Sequence, residues 1–224
     1  MDSIRKSSII VGVLFLIATI IIIIGGVFSF SIYESDYLIA VASNENQVIF
    51  GALLEIVATA AIVGIPIAMF PLLKKYNESL ALGYVAIRIF EGLTIFLNTI
   101  VLLSILALSQ EFVNSLSPDV LYFQMTGNLL LTTREQISVL VDFSFPIGAL
   151  VFNYLLYKTK LIPRWISSLG LLGGTLWLIT VPFRFFGVNF EQMDFLALPI
   201  AAQEMILAIW LIIKGFNSPK IVSE

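Results

Sequence analysis

Ser8–Phe30 reads SIIVGVLFLIATIIIIIGGVFSF, twenty-three residues without a single charge. At 1.5 Å per residue a helix of that length covers about 34 Å, enough to cross a hydrocarbon core roughly 30 Å thick. Five more apolar runs of comparable reach follow, at about 48–73, 80–108, 139–157, 165–183 and 195–213. The composition agrees with that count. Of 224 residues, 59% are apolar or aromatic and 12% are charged, about half the charge of a soluble domain. So little charge does not cover a water-facing surface. The expectation is an all-α, polytopic transmembrane helix bundle of six spans, forming one transmembrane domain over 1–224.

Lysine and arginine in the short loops set the orientation. With the N-terminus inside, Arg5, Lys6, Lys74, Lys75, Lys158, Lys160, Arg164, Lys214 and Lys220 all fall on the cytoplasmic side, while only Arg134 and Arg184 fall outside and Arg88 lies within a span. Both termini are therefore expected in the cytoplasm, in a cytoplasmic (inner) membrane. Arg5-Lys6 and Ala40-Val-Ala42 have the form of a signal peptide and its cleavage site. The apolar run between them is much longer than the 7–15 residues of such a segment, so it reads as a span.

The chain has no Cys and no His. Disulfides, thiol nucleophiles, Cys/His metal sites and Ser-His-Asp catalysis are thereby excluded. The net charge is −3 and no basic run marks a nucleic-acid surface. Gly170-Leu-Leu-Gly-Gly174, the nearest approach to a phosphate loop, sits inside an apolar run; small residues there suit close helix packing instead. Pro66, Pro71, Pro146, Pro182 and Pro199 lie in or at the ends of spans. Proline there kinks a helix and frees carbonyls, which serves packing or lines a cavity. The segment 109–138 reads as the one long outer loop. A short helix is expected within it, with Ser117 as cap, Pro118 first and Asp119 in the first turn.

Charges at membrane depth are costly and face a protein interior or a water cavity. The second span holds Glu55, the third Arg88 and Glu91, the fourth Asp142 and the sixth Glu204 beside Gln203. Arg88 and Glu91 share a helix face at i, i+3, and Tyr84 and Asn98 continue it. Asp142, Pro146, Ala149 and Asn153 form a second stripe, and Gly51, Glu55 and Thr59 a third. These stripes are expected to face one another. The deep set then holds three carboxylates, Glu55, Glu91 and Glu204, against one fixed cation, Arg88. One ion pair neutralises one carboxylate. The others must be protonated, hydrated, paired with Arg184 or another outer cation, or holding a bound cation. Glu55, Arg88, Glu91, Glu204, Asn98 and Asp142 are thus the candidate ligand- or proton-binding residues. No metal site and no cofactor is implied.

Several strings in order resemble one family: Gly51-Ala-Leu-Leu-Glu55, Phe70-Pro-Leu-Leu-Lys74, Asn77-Glu-Ser-Leu-Ala-Leu-Gly-Tyr84 with Arg88 and Glu91, Leu161-Ile-Pro-Arg-Trp165, Leu198-Pro-Ile-Ala-Ala-Gln-Glu204 and Lys214-Gly-Phe216. The chain is similar to the bacterial membrane proteins grouped as domain of unknown function 4386. The resemblance covers almost the whole chain. It implies a bacterial protein of six or seven membrane helices and no particular activity. It also places Asn77, Glu78, Pro163 and Arg164 in motif strings without giving them a role.

Three functional classes fit these residues. The first is a small-molecule or ion transporter whose carboxylates bind protons or a cation. The second is a structural, sensory or partner-binding protein held by an Arg–carboxylate network. The third is a membrane enzyme acting on lipid, for which the chain offers few catalytic parts. The transporter-like reading ranks first. The expected partners are the bilayer and a small cation, a proton or a lipid. The sequence does not fix the oligomeric state.

Overall fold

The computed structural model describes residues 3–116, 119–188 and 191–217. Among these residues there is helix and no strand. Seven α-helices follow in order: α1 Ser3–Phe28, α2 Tyr37–Ser43, α3 Glu45–Leu73, α4 Glu78–Asn114, α5 Val120–Thr159, α6 Arg164–Phe185 and α7 Leu198–Ile213. Short 3-10 turns occupy Phe30–Tyr33 and Glu191–Ala197. Six helical segments are long and apolar enough to cross a membrane: Ile4–Phe28, Glu45–Leu73, Glu78–Asn114, Val120–Thr159, Arg164–Phe185 and Phe195–Ile213. Their outward faces carry large apolar side chains such as Val27, Ile23, Leu82, Leu93 and Leu172. In water such faces would be a liability; against acyl chains they cost nothing. The protein is an integral, multi-pass membrane protein.

The fourth span differs from expectation. The outer loop of 109–138 is mostly helix: α4 runs on to Asn114, and α5 begins at Val120 and continues for 40 residues. Thr132, Thr133, Arg134, Glu135 and Gln136 lower the local hydropathy, yet Arg, Glu and Gln are good helix formers. No Gly or Pro interrupts the chain between Gly127 and Pro146. At 1.5 Å per residue α5 is about 60 Å long, roughly twice the hydrocarbon core, so part of it stands outside the core or it tilts. Arg134 is consequently a helical residue and not a loop residue. The expected helix start at Ser117 and Pro118 lies outside the described residues. Asp119, which is described, caps the first turn of α5, its Oδ1 accepting the Tyr122 N–H at 3.2 Å.

The helices divide between two compact units. One comprises Met1–Ile17, Ala61–Glu91 and Asp142–Glu224, the other Ala18–Ala60 and Gly92–Val141. The second unit is centred on Ile32, Leu38, Val41, Val48, Leu102, Ile105 and Phe123. Short α2 belongs to this core through buried Tyr37, Leu38 and Val41.

In the first unit α6 and α7 approach closely because Gly173 faces the backbone of Ile200; a Cβ on Gly173 would come within 2.5 Å of the Ile200 nitrogen. The small-residue face expected on this span is therefore a packing face. α7 stops at Ile213, and Gly215, just past its cap at Lys214, has a φ of +79° that suits glycine. Arg5 covers the carbonyls left over there, donating to Leu211 O at 3.0 Å, Ile212 O at 2.6 Å and Ile213 O at 3.2 Å. A cation at a helix C-terminus also meets the negative end of its dipole.

Candidate functional site

In the first unit, α4 presents Arg88 and Glu91 one turn apart. Arg88 Nη1 donates to Glu91 Oε2 at 3.0 Å and Oε1 at 3.3 Å. Both side chains are buried, at 4% and 3% exposure. α5 gives Arg88 room through Gly148, where a Cβ would stand 3.0 Å from Arg88 Cδ. The guanidinium also lies 5.9 Å from the centre of the Phe145 ring. One turn before Arg88, Tyr84 stacks on Phe152 with ring centres 4.8 Å apart and planes 7° from parallel. Phe152 in turn stacks on Phe15 at 5.9 Å.

Glu204 joins this group from α7. It is partly buried and lies within electrostatic reach of Arg88, Glu91 and Tyr84. Its neighbour Gln203 is buried and donates from Nε2 to Asn153 Oδ1 at 3.1 Å. Asn153 Nδ2 donates to Ala149 O at 2.9 Å. That chain of amides fixes α7 against α5 beside Glu204. The stripe expected along α5 is real in this respect: Ala149 and Asn153 are both buried. At its head, Asp142 pairs with Arg184 of α6 at 3.2 Å, and Arg184 sits 5.1 Å over the Trp177 ring.

Glu55 belongs to the second unit, with different partners. Arg134 Nη2 donates to Glu55 Oε1 at 2.6 Å, and Thr99 Oγ1 donates to Oε2 at 2.7 Å. Arg134 Nη1 reaches the Asn98 carbonyl at 2.6 Å. Asn98 Nδ2 donates to Ser138 Oγ at 3.0 Å, and Ser138 Oγ donates to Arg134 O at 3.0 Å. Both Glu55 oxygens are thus engaged, by a charged donor and a neutral one.

The first unit thus groups Arg88 with Glu91 and Glu204, and Arg184 with Asp142; the second groups Arg134 with Glu55, Thr99 and Asn98. Arg134, Thr99, Phe145 and Phe152 make contacts that hydropathy and spacing do not single out. Hydropathy sets Arg134 in a loop. Its i, i+4 relation to Ser138 and its distance from any Gly or Pro are the signals that it is helical.

Among the residues of unassigned role, Asn77 accepts the Leu80 N–H at 2.9 Å and caps α4, with Glu78 in the first turn. Pro163 holds extended backbone before α6, and Arg164 lies 4.9 Å over the Tyr157 ring. Asn77, Glu78, Pro163 and Arg164 thus all stand at helix starts. Among the described residues, no three acidic side chains converge as a metal site.

The Arg88 group brings a guanidinium and two carboxylates of different helices into one electrostatic neighbourhood among apolar and aromatic side chains. The group around Glu55 is balanced one to one, as a tie between helices would be.

The chain belongs to the family described as Domain of unknown function (DUF4386), whose sequence profile matches residues 10–215. No curated protein and no solved structure matches it.

Proposed function

We propose that this member of the family is a transporter-like protein of a bacterial inner membrane that takes up a proton or a small cation at Glu91 and Glu204. The observation that carries the reading is the buried ionic group within the apolar spans: Arg88 pairs with Glu91 at 3.0 Å, both side chains buried, with Glu204 of α7 within electrostatic reach. Ionisable side chains inside membrane segments mark proton and ion pathways. A site divided between α4 and α7 also lets occupancy bear on helix packing. Both termini stand in the cytoplasm, in keeping with the loop charges; a reporter fused to the C-terminus and found outside would overturn that part.

The test is thermal stability in detergent against a series of alkali cations and small amines at several pH values, for wild type and Glu204→Gln. A ligand at a hundred times its dissociation constant adds about 2.7 kcal/mol. Stabilisation of the wild type by one cation class or by protons, lost in Glu204→Gln, supports the site. Reconstituted vesicles then show whether that ion crosses. A melting curve indifferent to cations and pH in both proteins would refute it.

A second reading holds for Glu55. Its two oxygens are satisfied by Arg134 and Thr99, which favours a structural lock over a binding role at that residue.

A further inference from the structure

The turn between α5 and α6 carries basic residues without acidic company. Lys158, Lys160 and Arg164 fall within seven positions, and the chain has no carboxylate between Asp142 and Glu191. All three side chains are exposed, and none is in an ion pair among the described residues.

The turn is rigid. Leu161, Ile162 and Ile166 are at most 1% exposed and plug it into the first unit. The segment after α7 then ties to it: the Asn217 N–H donates to Leu161 O at 2.8 Å, and Asn217 Nδ2 to Lys160 O at 2.9 Å. This brings Lys214, three residues back and also exposed, to the same end of the unit. No carboxylate lies between Glu204 and Glu224 either. The backbone that carries the surplus charge is therefore held by these contacts, and no acidic side chain of those segments neutralises it.

The neighbouring aromatics indicate the medium. Trp165 is 56% and Tyr154 43% exposed at the ends of membrane helices. Amphipathic rings in that position sit at the headgroup level. The Lys158 ammonium lies 5.6 Å over the Tyr154 ring, so the cation is held at the level of its ring. A set of cations beside exposed interfacial aromatics suits one occupant: a headgroup phosphate whose acyl chains run down the apolar helix faces.

We propose that the α5–α6 turn, through Lys158, Lys160 and Arg164 with Lys214 alongside, is a binding site for an anionic phospholipid headgroup. It is independent of the Glu91–Glu204 site, and neither proposal needs the other.

The experiment is native mass spectrometry of the detergent-solubilised protein titrated with phosphatidylglycerol or phosphatidylcholine. The wild type is compared with Lys158→Gln/Lys160→Gln/Arg164→Gln and with Lys74→Gln/Lys75→Gln as a charge control elsewhere. The wild type should retain phosphatidylglycerol over phosphatidylcholine and release it as salt rises. The triple variant should bind phosphatidylglycerol roughly a hundredfold more weakly, because three cations no longer attract the phosphate. The control pair should keep the preference. Equal binding of the two lipids by wild type, or equal weakening in both variants, would overturn the proposal. So would competition by soluble glycerol phosphate at the lipid's own affinity, which would make this a soluble-phosphate site. Should the triple variant fail to fold, Arg164→Lys and the salt titration of wild type carry the test: charge-held lipid survives the first and is released in the second.

Discussion

Arg134 reaches Glu55 at 2.6 Å across 79 positions of sequence, with the two side chains 12% and 8% exposed. The pair joins α5 to α3 inside the second unit, and Arg134 simultaneously holds the Asn98 carbonyl of α4. One guanidinium of α5 thus touches two other helices, α3 and α4.

Removing one partner of a buried pair strands a charge, which costs about 3–5 kcal/mol, whereas removing both costs far less. Arg134→Gln alone should therefore lower stability by about that amount, and Glu55→Gln/Arg134→Gln should recover most of it. Chemical unfolding in mixed micelles, run as a double-mutant cycle, measures the coupling. Equal destabilisation in the single and double variants would mean that the contact is incidental.

The α6–α7 seam makes a different prediction. Gly173 has the backbone of Ile200 where a side chain would be, and Gly26 has nothing within 4 Å of its would-be Cβ. Gly173→Ala must push the helices apart, an overpacking cost of about 1–3 kcal/mol. Gly26→Ala should be neutral or slightly stabilising, since alanine is the better helix former by about 1 kcal/mol. Melting temperatures of the two variants in one detergent decide it; similar shifts for both would contradict the close approach.

Arg5 supports a third. It is the donor to three carbonyls at the end of α7, and those acceptors have no helical N–H to turn to. Arg5→Ala should cost about 1–2 kcal/mol, the scale of a helix-terminus cation in a partly buried setting. Arg5→Lys should recover only part, because a point charge does not reproduce the guanidinium fork. Hydrogen exchange at Lys214 and Gly215 is the local readout, and unchanged protection in Arg5→Ala would count against the cap.

Span number and helix class are readable from hydropathy because lipid demands long uninterrupted apolar runs; Ser8–Phe30 alone settles the class. The 120–138 half of α5 is not, because its threonines and charges fall below any apolar threshold although they suit a helix. That misplacement hides Arg134, and with it the partner of Glu55. The Arg88–Glu91 pair is legible from i, i+3 spacing on one helix. Which carboxylate of another span approaches Arg88 is not, since periodicity orders residues around one helix and is silent on its neighbours. Glu204 as that neighbour, and Asn153 as the partner of Gln203, require the packing of α7 against α5 and α6.

The shared guanidinium yields the last prediction. Arg88 offsets Glu91 directly and Glu204 at longer range, so Arg88→Gln removes a cation that acts on both carboxylates. Its destabilisation should match that of Arg134→Gln, about 3–5 kcal/mol. If Glu91 and Glu204 share that one cation, Arg88→Gln/Glu91→Gln and Arg88→Gln/Glu204→Gln should each relieve part of the destabilisation, and the triple Gln variant most of it. A structural Arg88–Glu91 pair with Glu204 uninvolved predicts otherwise: Glu91→Gln would rescue in full and Glu204→Gln not at all. Unfolding free energies of the four variants separate the two arrangements, and rescue by Glu204→Gln is the outcome that ties α7 to the site.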